Sequence, residues 1–164
     1  ALAQPVGIRF IAVSTAVEMW DAVMANLERT TVVIKAAAVA DYRPAEVAPN
    51  KIKKKEGPLT IKLVRNPDII SEIGKRKGNR ILVGFAMESE NLVENAKGKL
   101  LAKKMDMIIA NDLTQEGAGF QTDTNIIKIL DRDGRVEELP IMDKGDVANR
   151  ILDRIRDMRA TRKR

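Results

Sequence analysis

The chain has 164 residues, a formal net charge of +6, and neither cysteine nor histidine. Those absences exclude disulfide stapling, thiol and imidazole catalysis and thiolate metal sites, leaving Lys, Asp/Glu, Asn, Ser/Thr, backbone groups or an oxygen-bound cation to do any chemistry. Apolar residues make up 45% but aromatics only 3%, so the core must be Ala, Val, Ile, Leu and Met, as in a helix-covered sheet, and the positive charge favours an anionic partner.

Gly7–Ser14 (GIRFIAVS) predicts a strand. Thr15 can cap the helix that follows, with Glu18 as reciprocal partner, and Val17, Met19, Trp20, Val23, Met24 and Leu27 recur at helical spacing. Trp20 reads as a packing residue between helix and sheet. Thr31–Ile34 (TVVI) is a β-branched run suited to a buried central strand, which extends to Ala37. It gives way to Ala36, Ala37, Ala38 and Ala40 and stops at Asp41. Small side chains at the carboxyl end of a strand let a ligand lie against the backbone, which is where open α/β sheets bind ligands. Pro44 and Pro49 then force an excursion from the sheet, a flap with lysines at 51, 53, 54 and 55. Alanine runs often simply pack under a helix, and lysine runs are usually solvated faces. Placed together beside one carboxylate, they form a candidate polyanion site.

Leu59–Val64 (LTIKLV) alternates as a half-buried strand paired within the flap region. Asn66-Pro67-Asp68 predicts a helix start, with Asn66 as cap and Pro67 at the first helical position. The helix runs through Ile69, Ile70 and Ile73 to Lys75, Arg76 and Lys77, and stops at Gly78. Arg80–Ala86 predicts another strand, ending in Gly84-Phe85-Ala86. A helix from Glu90 to Lys104 carries Leu92, Val93, Ala96, Leu100 and Leu101 on one side. On its surface Lys99 and Lys103 lie one turn apart, either as a solvated face or with an anion between them. Met105–Ala110 predicts a fourth strand, ending in Asn111-Asp112, and Glu116–Phe120 a Gly-rich loop. Asn125–Leu130 and Arg135–Leu139 predict a hairpin over Asp133-Gly134. Asp143 starts a final helix through Val147, Ile151, Leu152, Ile155 and Met158, which frays into the basic run RATRKR.

Strands alternating with helices predict a Rossmann-like, mainly parallel α/β sheet with right-handed crossovers and helices on both faces, joined by the extended lysine-bearing flap and a C-terminal antiparallel hairpin. Residues 1–159 are expected to form a single domain and 160–164 a basic tail. Ala36–Asp41, Gly84–Ala86 and Asn111–Asp112 should face one crevice, with the helix starting at Pro67 offering backbone N–H groups there. Neither G-x-G-x-x-G nor a P-loop pattern occurs, which disfavours a standard dinucleotide-dependent dehydrogenase. With no long apolar run and no signal pattern, a soluble, cytoplasmic protein is expected.

Six words of this sequence, in this order, resemble the phosphopantothenate–cysteine ligase family, usually the C-terminal half of a bifunctional coenzyme A biosynthesis protein. They are AAVADYRP (Ala37–Pro44), KIKK (Lys51–Lys54), VRNPDI (Val64–Ile69), VGFAMES (Val83–Ser89), AND (Ala110–Asp112) and GFQTDTN (Gly119–Asn125). The resemblance covers Ile8 to Arg150. It implies CTP-dependent condensation of 4′-phosphopantothenate with cysteine through an acyl-cytidylate. It also implies Mg²⁺ with the CTP, a homodimer, fusion to a flavin-dependent decarboxylase domain, and no nucleic-acid or membrane partner.

Carried over residue by residue, the resemblance puts Lys51 on the triphosphate as the catalytic lysine and Asp41 on the nucleotide or its Mg²⁺. Lys35, Ala36 and Ala37 offer backbone to the base, and Pro67, Asp68, Ile69, Ile70, Phe85, Lys99 and Lys103 complete the nucleotide pocket. The family normally opens with a strand and a Gly/Ser-rich N-x-SSG-x-x-G segment, and this chain starts beyond it. Weak CTP binding and poor turnover by this polypeptide alone are therefore expected. The alternative is a non-catalytic basic module binding nucleic acid through Lys51–Lys55 and RATRKR. The presence of only one Tyr and one Trp, which leaves few stacking platforms, counts against it.

Overall fold

The computed structural model describes residues 5–54, 56–88, 90–112 and 123–162. In chain order the elements are α1 (Ala16–Asn26) with a 3₁₀ turn (Leu27–Arg29), β1 (Val32–Lys35), β2 (Tyr42–Pro44), β3 (Leu63–Arg65), α2 (Ile69–Lys75), β4 (Ile81–Glu88) and α3 (Leu92–Ala102). Then follow β5 (Met107–Asp112), β6 (Thr124–Asn125), β7 (Ile127–Asp131), β8 (Val136–Glu138), β9 (Met142–Asp143) and α4 (Lys144–Arg162). The chain divides into two compact units: a smaller one of residues 1–28 and 38–69, and a larger one of residues 29–37 and 70–164.

The larger unit is built on a five-stranded sheet in the order β1-β4-β5-β7-β8. β1, β4 and β5 are parallel, as the strand–helix alternation predicts, but β1 is an edge strand ending at Lys35 with Ile34 exposed, not the buried central strand reaching Ala37 that its β-branched run suggests. β7 and β8 add antiparallel to β5, forming the expected hairpin, whose turn uses Gly134 at φ +82°. Residues buried on both faces explain why β4 and β5 read as unbroken apolar runs rather than alternating ones. On one face Ile81, Val83, Met107, Ile109, Ile127 and Ile129 pack with Val147, Ile151 and Ile155 of α4. Those three α4 positions recur every four residues and so form one apolar stripe. α3 packs against β4 and β5, and on that side Gly84 has Met105 and the Ile70 Cδ1 so close that even a Cβ would collide.

α4 does not fray after Met158. It continues to Arg162, whose guanidinium donates to the carbonyls of Asn79 (3.2 Å) and Arg80 (3.1 Å) and pairs with Asp106. Three of the tail residues expected to be irregular, Ala160–Arg162, are thus helical because their end is tethered to the amino edge of the sheet. Asp106, 3% exposed, is the hub of that edge. It accepts from Lys77 Nζ at 2.5 Å and from the Leu82 N–H at 2.8 Å.

In the smaller unit the Thr15 cap forms as predicted. Its Oγ1 accepts the Glu18 N–H at 3.1 Å, while Glu18 Oε2 accepts the Ser14 N–H at 2.7 Å. That backbone bond from Ser14 holds the Glu18 carboxyl below its ordinary pKa. β2 and β3 pair antiparallel. Three expectations fail in this unit. The expected strand Gly7–Ser14 does not form: its first residues lie in a turn and residues 9–14 pair with no described strand. The strand from Leu59 shrinks to Leu63–Arg65, and Leu59, Ile61 and Leu63 are exposed rather than half-buried. Asn66 does not cap a helix starting at Pro67. Its Nδ2 donates to Ala40 O (2.8 Å) and its Oδ1 accepts from Arg43 Nη1 (3.1 Å), so the side chain ties the two arms of the β2–β3 excursion and α2 begins later, at Ile69.

Candidate nucleotide-binding edge

β1 ends at Lys35, in register with Gly84 of β4. Lys35 Nζ folds back to donate to the carbonyl of Ala37 at 2.9 Å, so the lysine braces the turn that follows the strand. Ala36 and Ala37 are exposed, and with only methyl side chains they leave the backbone open to a ligand. Phe85, next along β4, is half-buried against the α4-side core. Ile70 is buried and reaches this strand end through Gly84. β5 brings Asn111 to the same carboxyl edge, where its Oδ1 is buried and has no hydrogen-bond donor among the described residues. The edge therefore presents bare backbone and one half-buried aromatic ring, above a buried Asn111 acceptor that no described donor satisfies.

The other expected residues are distributed as follows. Asp41, Lys51, Pro67, Asp68 and Ile69 belong to the smaller unit. Asp41 and Lys51 are exposed, and the Asp41 carbonyl accepts the Asn66 N–H at 2.8 Å. Ile69 is a buried apolar residue at the first position of α2, and Pro67 and Asp68 precede the helix. Lys99 lies in the last turn of α3 and Lys103 caps it. Since α3 leaves the carboxyl end of β4 and feeds the amino end of β5, both lysines start from the end of the crossover distant from Phe85. The backbone of Lys103 packs on Gly74 of α2. The structure thus gathers Lys35, Ala36, Ala37, Ile70 and Phe85, and sets Lys99 and Lys103 further down the same unit. Ser89, Lys55 and residues 113–122, with the whole Gly-rich loop and the GFQT of the last word, lie outside the described residues.

Among the described residues no group of three or more carboxylates could hold a metal ion. Asp41 alone fits a Mg²⁺ that arrives on nucleotide phosphates and keeps most of its water, not a caged ion. No described helix is long and apolar enough to cross a membrane. Neither the unsatisfied Asn111 oxygen nor the Lys35 brace is visible in the sequence as a specific feature. Only the placement of Asn111 at a strand end was legible.

A mostly parallel sheet with crossover helices defines a Rossmann-like α/β domain, and open sheets of that kind bind ligands at the carboxyl ends of their strands. The chain belongs to the DNA/pantothenate metabolism flavoprotein C-terminal domain family, whose profile matches residues 1–158. This is the family that the six sequence words indicate. The chain is 46% identical over 156 residues to the coenzyme A biosynthesis bifunctional protein CoaBC of Bacillus subtilis, covering 94% of this chain and 38% of that protein. It is 37% identical to a crystal structure of the C-terminal domain of such a CoaBC protein, with a TM-score of 0.81, covering 98% of this chain and 71% of the other. A Cab2 variant solved in complex with phosphopantothenate-cysteine shares the fold, with a TM-score of 0.69 at 16% identity over 93% of this chain and 54% of the other. The chain spans about 38% of the length of its Bacillus relative.

Proposed function

We propose that this chain catalyses the ligase step of coenzyme A biosynthesis, joining 4′-phosphopantothenate to cysteine with CTP. The phosphopantothenate carboxylate attacks the α-phosphate of CTP, pyrophosphate leaves, and an acyl-cytidylate forms. The cysteine amine then attacks the acyl carbon and CMP leaves with the bonding electron pair. The observation that carries this reading is the bare strand end at Ala36–Ala37, braced by Lys35 and flanked by Phe85, in a chain of this family. The names borne by its relatives support the same pathway, and the product complex of the Cab2 variant supports the same substrate class on this fold.

In this reading the backbone at Lys35, Ala36 and Ala37 receives the base. Lys51, Lys99 and Lys103 neutralise the triphosphate, and Pro67, Asp68, Ile69, Ile70 and Phe85 shape the pocket. Asp41 would hold a Mg²⁺ on the phosphates, which would offset the charge that builds there. With no histidine or cysteine in the chain, the catalytic contribution is positioning and charge neutralisation. The protein acts as a homodimer in the cytoplasm, and its partner in the longer polypeptide is a flavin-dependent decarboxylase domain.

Calorimetric titration with CTP, ATP and NAD⁺ in Mg²⁺ tests this, with Lys51→Ala alongside. CTP-selective uptake lost in Lys51→Ala is the expected result. Indifference to the base, together with steeply salt-dependent binding of single-stranded DNA, would overturn the ligase reading in favour of a nucleic-acid module.

A further inference from the structure

The amino edge of the large unit's sheet carries charge that the proposed ligase reaction does not use. A cleft of about 440 Å³ opens there between the β7–β8 turn and the last turns of α4, with Asp106 among its lining residues. Its two inner carboxylates are already engaged. Asp106 holds Lys77, Arg162 and the Leu82 N–H. Asp131 Oδ1 accepts the N–H groups of Asp133 and Arg135, each at 3.0 Å, and its Oδ2 lies 3.6 Å from Arg154. Those bonds set the turn so that Arg132 and Arg135 both line the cleft. Both are exposed, and neither has a carboxylate partner among the described residues.

We propose that this cleft is a second ligand site, remote from the carboxyl edge, which binds a small hydroxyl-bearing phosphomonoester through Arg132 and Arg135. A guanidinium fork matches two phosphate oxygens at once, which a lysine cannot do. The lining sets four arginines against four aspartates, two of which, Asp106 and Asp131, are already engaged. Lys77, behind Asp106, has its pKa lowered first by burial, against the pull of Asp106, and then further by Arg132 and Arg162. A bound dianion relieves that repulsion. The lining carboxylates Asp133 and Asp157 make a bare polyanion a poor fit, and instead offer acceptors to ligand hydroxyls.

The test is an amide-resolved NMR titration of the protein with glycerol 3-phosphate at constant ionic strength. The inference stands apart from the ligase reading, because the resonances read are those of Arg132–Arg135 and Thr161. Saturable shifts there are expected, with inorganic phosphate binding more weakly and glycerol moving nothing. Replacing both arginines (Arg132→Gln with Arg135→Gln) should weaken binding by roughly tenfold or more per guanidinium, while the rest of the spectrum stays in place. Shifts that fail to saturate, or that survive the double substitution, would overturn the site.

Discussion

At Gly74 a methyl group has nowhere to go. A Cβ there would meet the backbone carbonyl of Lys103, whereas at Gly84 it would meet the ends of the Met105 and Ile70 side chains, which can swing aside. Alanine in a helix interior is ordinarily better than glycine by about 1 kcal/mol. Gly74→Ala should nevertheless destabilise the protein by about 1–3 kcal/mol, because the clash is with main chain. Gly84→Ala should cost less, and urea unfolding of the two variants side by side checks the order. Glu18 gives a pH test at the same scale. Its pKa is lowered, so the stabilisation from its cap is present above pH 4.5 and is lost as pH falls through the folded value. The Ser14 amide shift should titrate with a midpoint below 4.5 and become flat in Glu18→Gln.

Among elements, the tether of the last turn of α4 to the sheet centres on one carboxylate, while Arg154 earlier in the helix meets Asp131 separately. Asp106→Asn would leave Lys77 and Arg162 facing each other with no buried counter-charge, and removing one partner of such a pair costs about 3–5 kcal/mol. Loss of hydrogen-exchange protection should appear first in the last turns of α4, and uniform loss across the sheet would show that the cluster is not what anchors the helix. On the α4-side face of the sheet, Ile109 is fully buried in the core. Ile109→Ala should cost about 2–5 kcal/mol in urea unfolding. A cost below 1 kcal/mol would mean that α4 does not seal that face.

For the whole molecule, a net charge of +6 draws any polyanion, so selectivity and not mere binding is the informative readout. CTP at about one hundred times its Kd should add about 2.7 kcal/mol of stability, and ATP at the same concentration clearly less. Equal thermal shifts from both would mean that charge, not the strand edge, governs uptake.

Periodicity by itself determined the helices α1, α3 and α4, the parallel strands β1, β4 and β5, the hairpin after them and, through the order of six short words, the family. Each of these rests on interactions within a few residues, or on an apolar pattern that any core would satisfy. Tertiary structure decided what depends on distant partners. Residues 9–14 have strand character but no described strand to pair with. Asn66 has cap character, yet it bonds to Ala40, 26 residues away. The basic end of α4 looked irregular until Asp106, 56 residues before Arg162, gave it an anchor. A side chain's preference is local, but a hydrogen bond or ion pair needs its partner delivered, and only the folded chain delivers it.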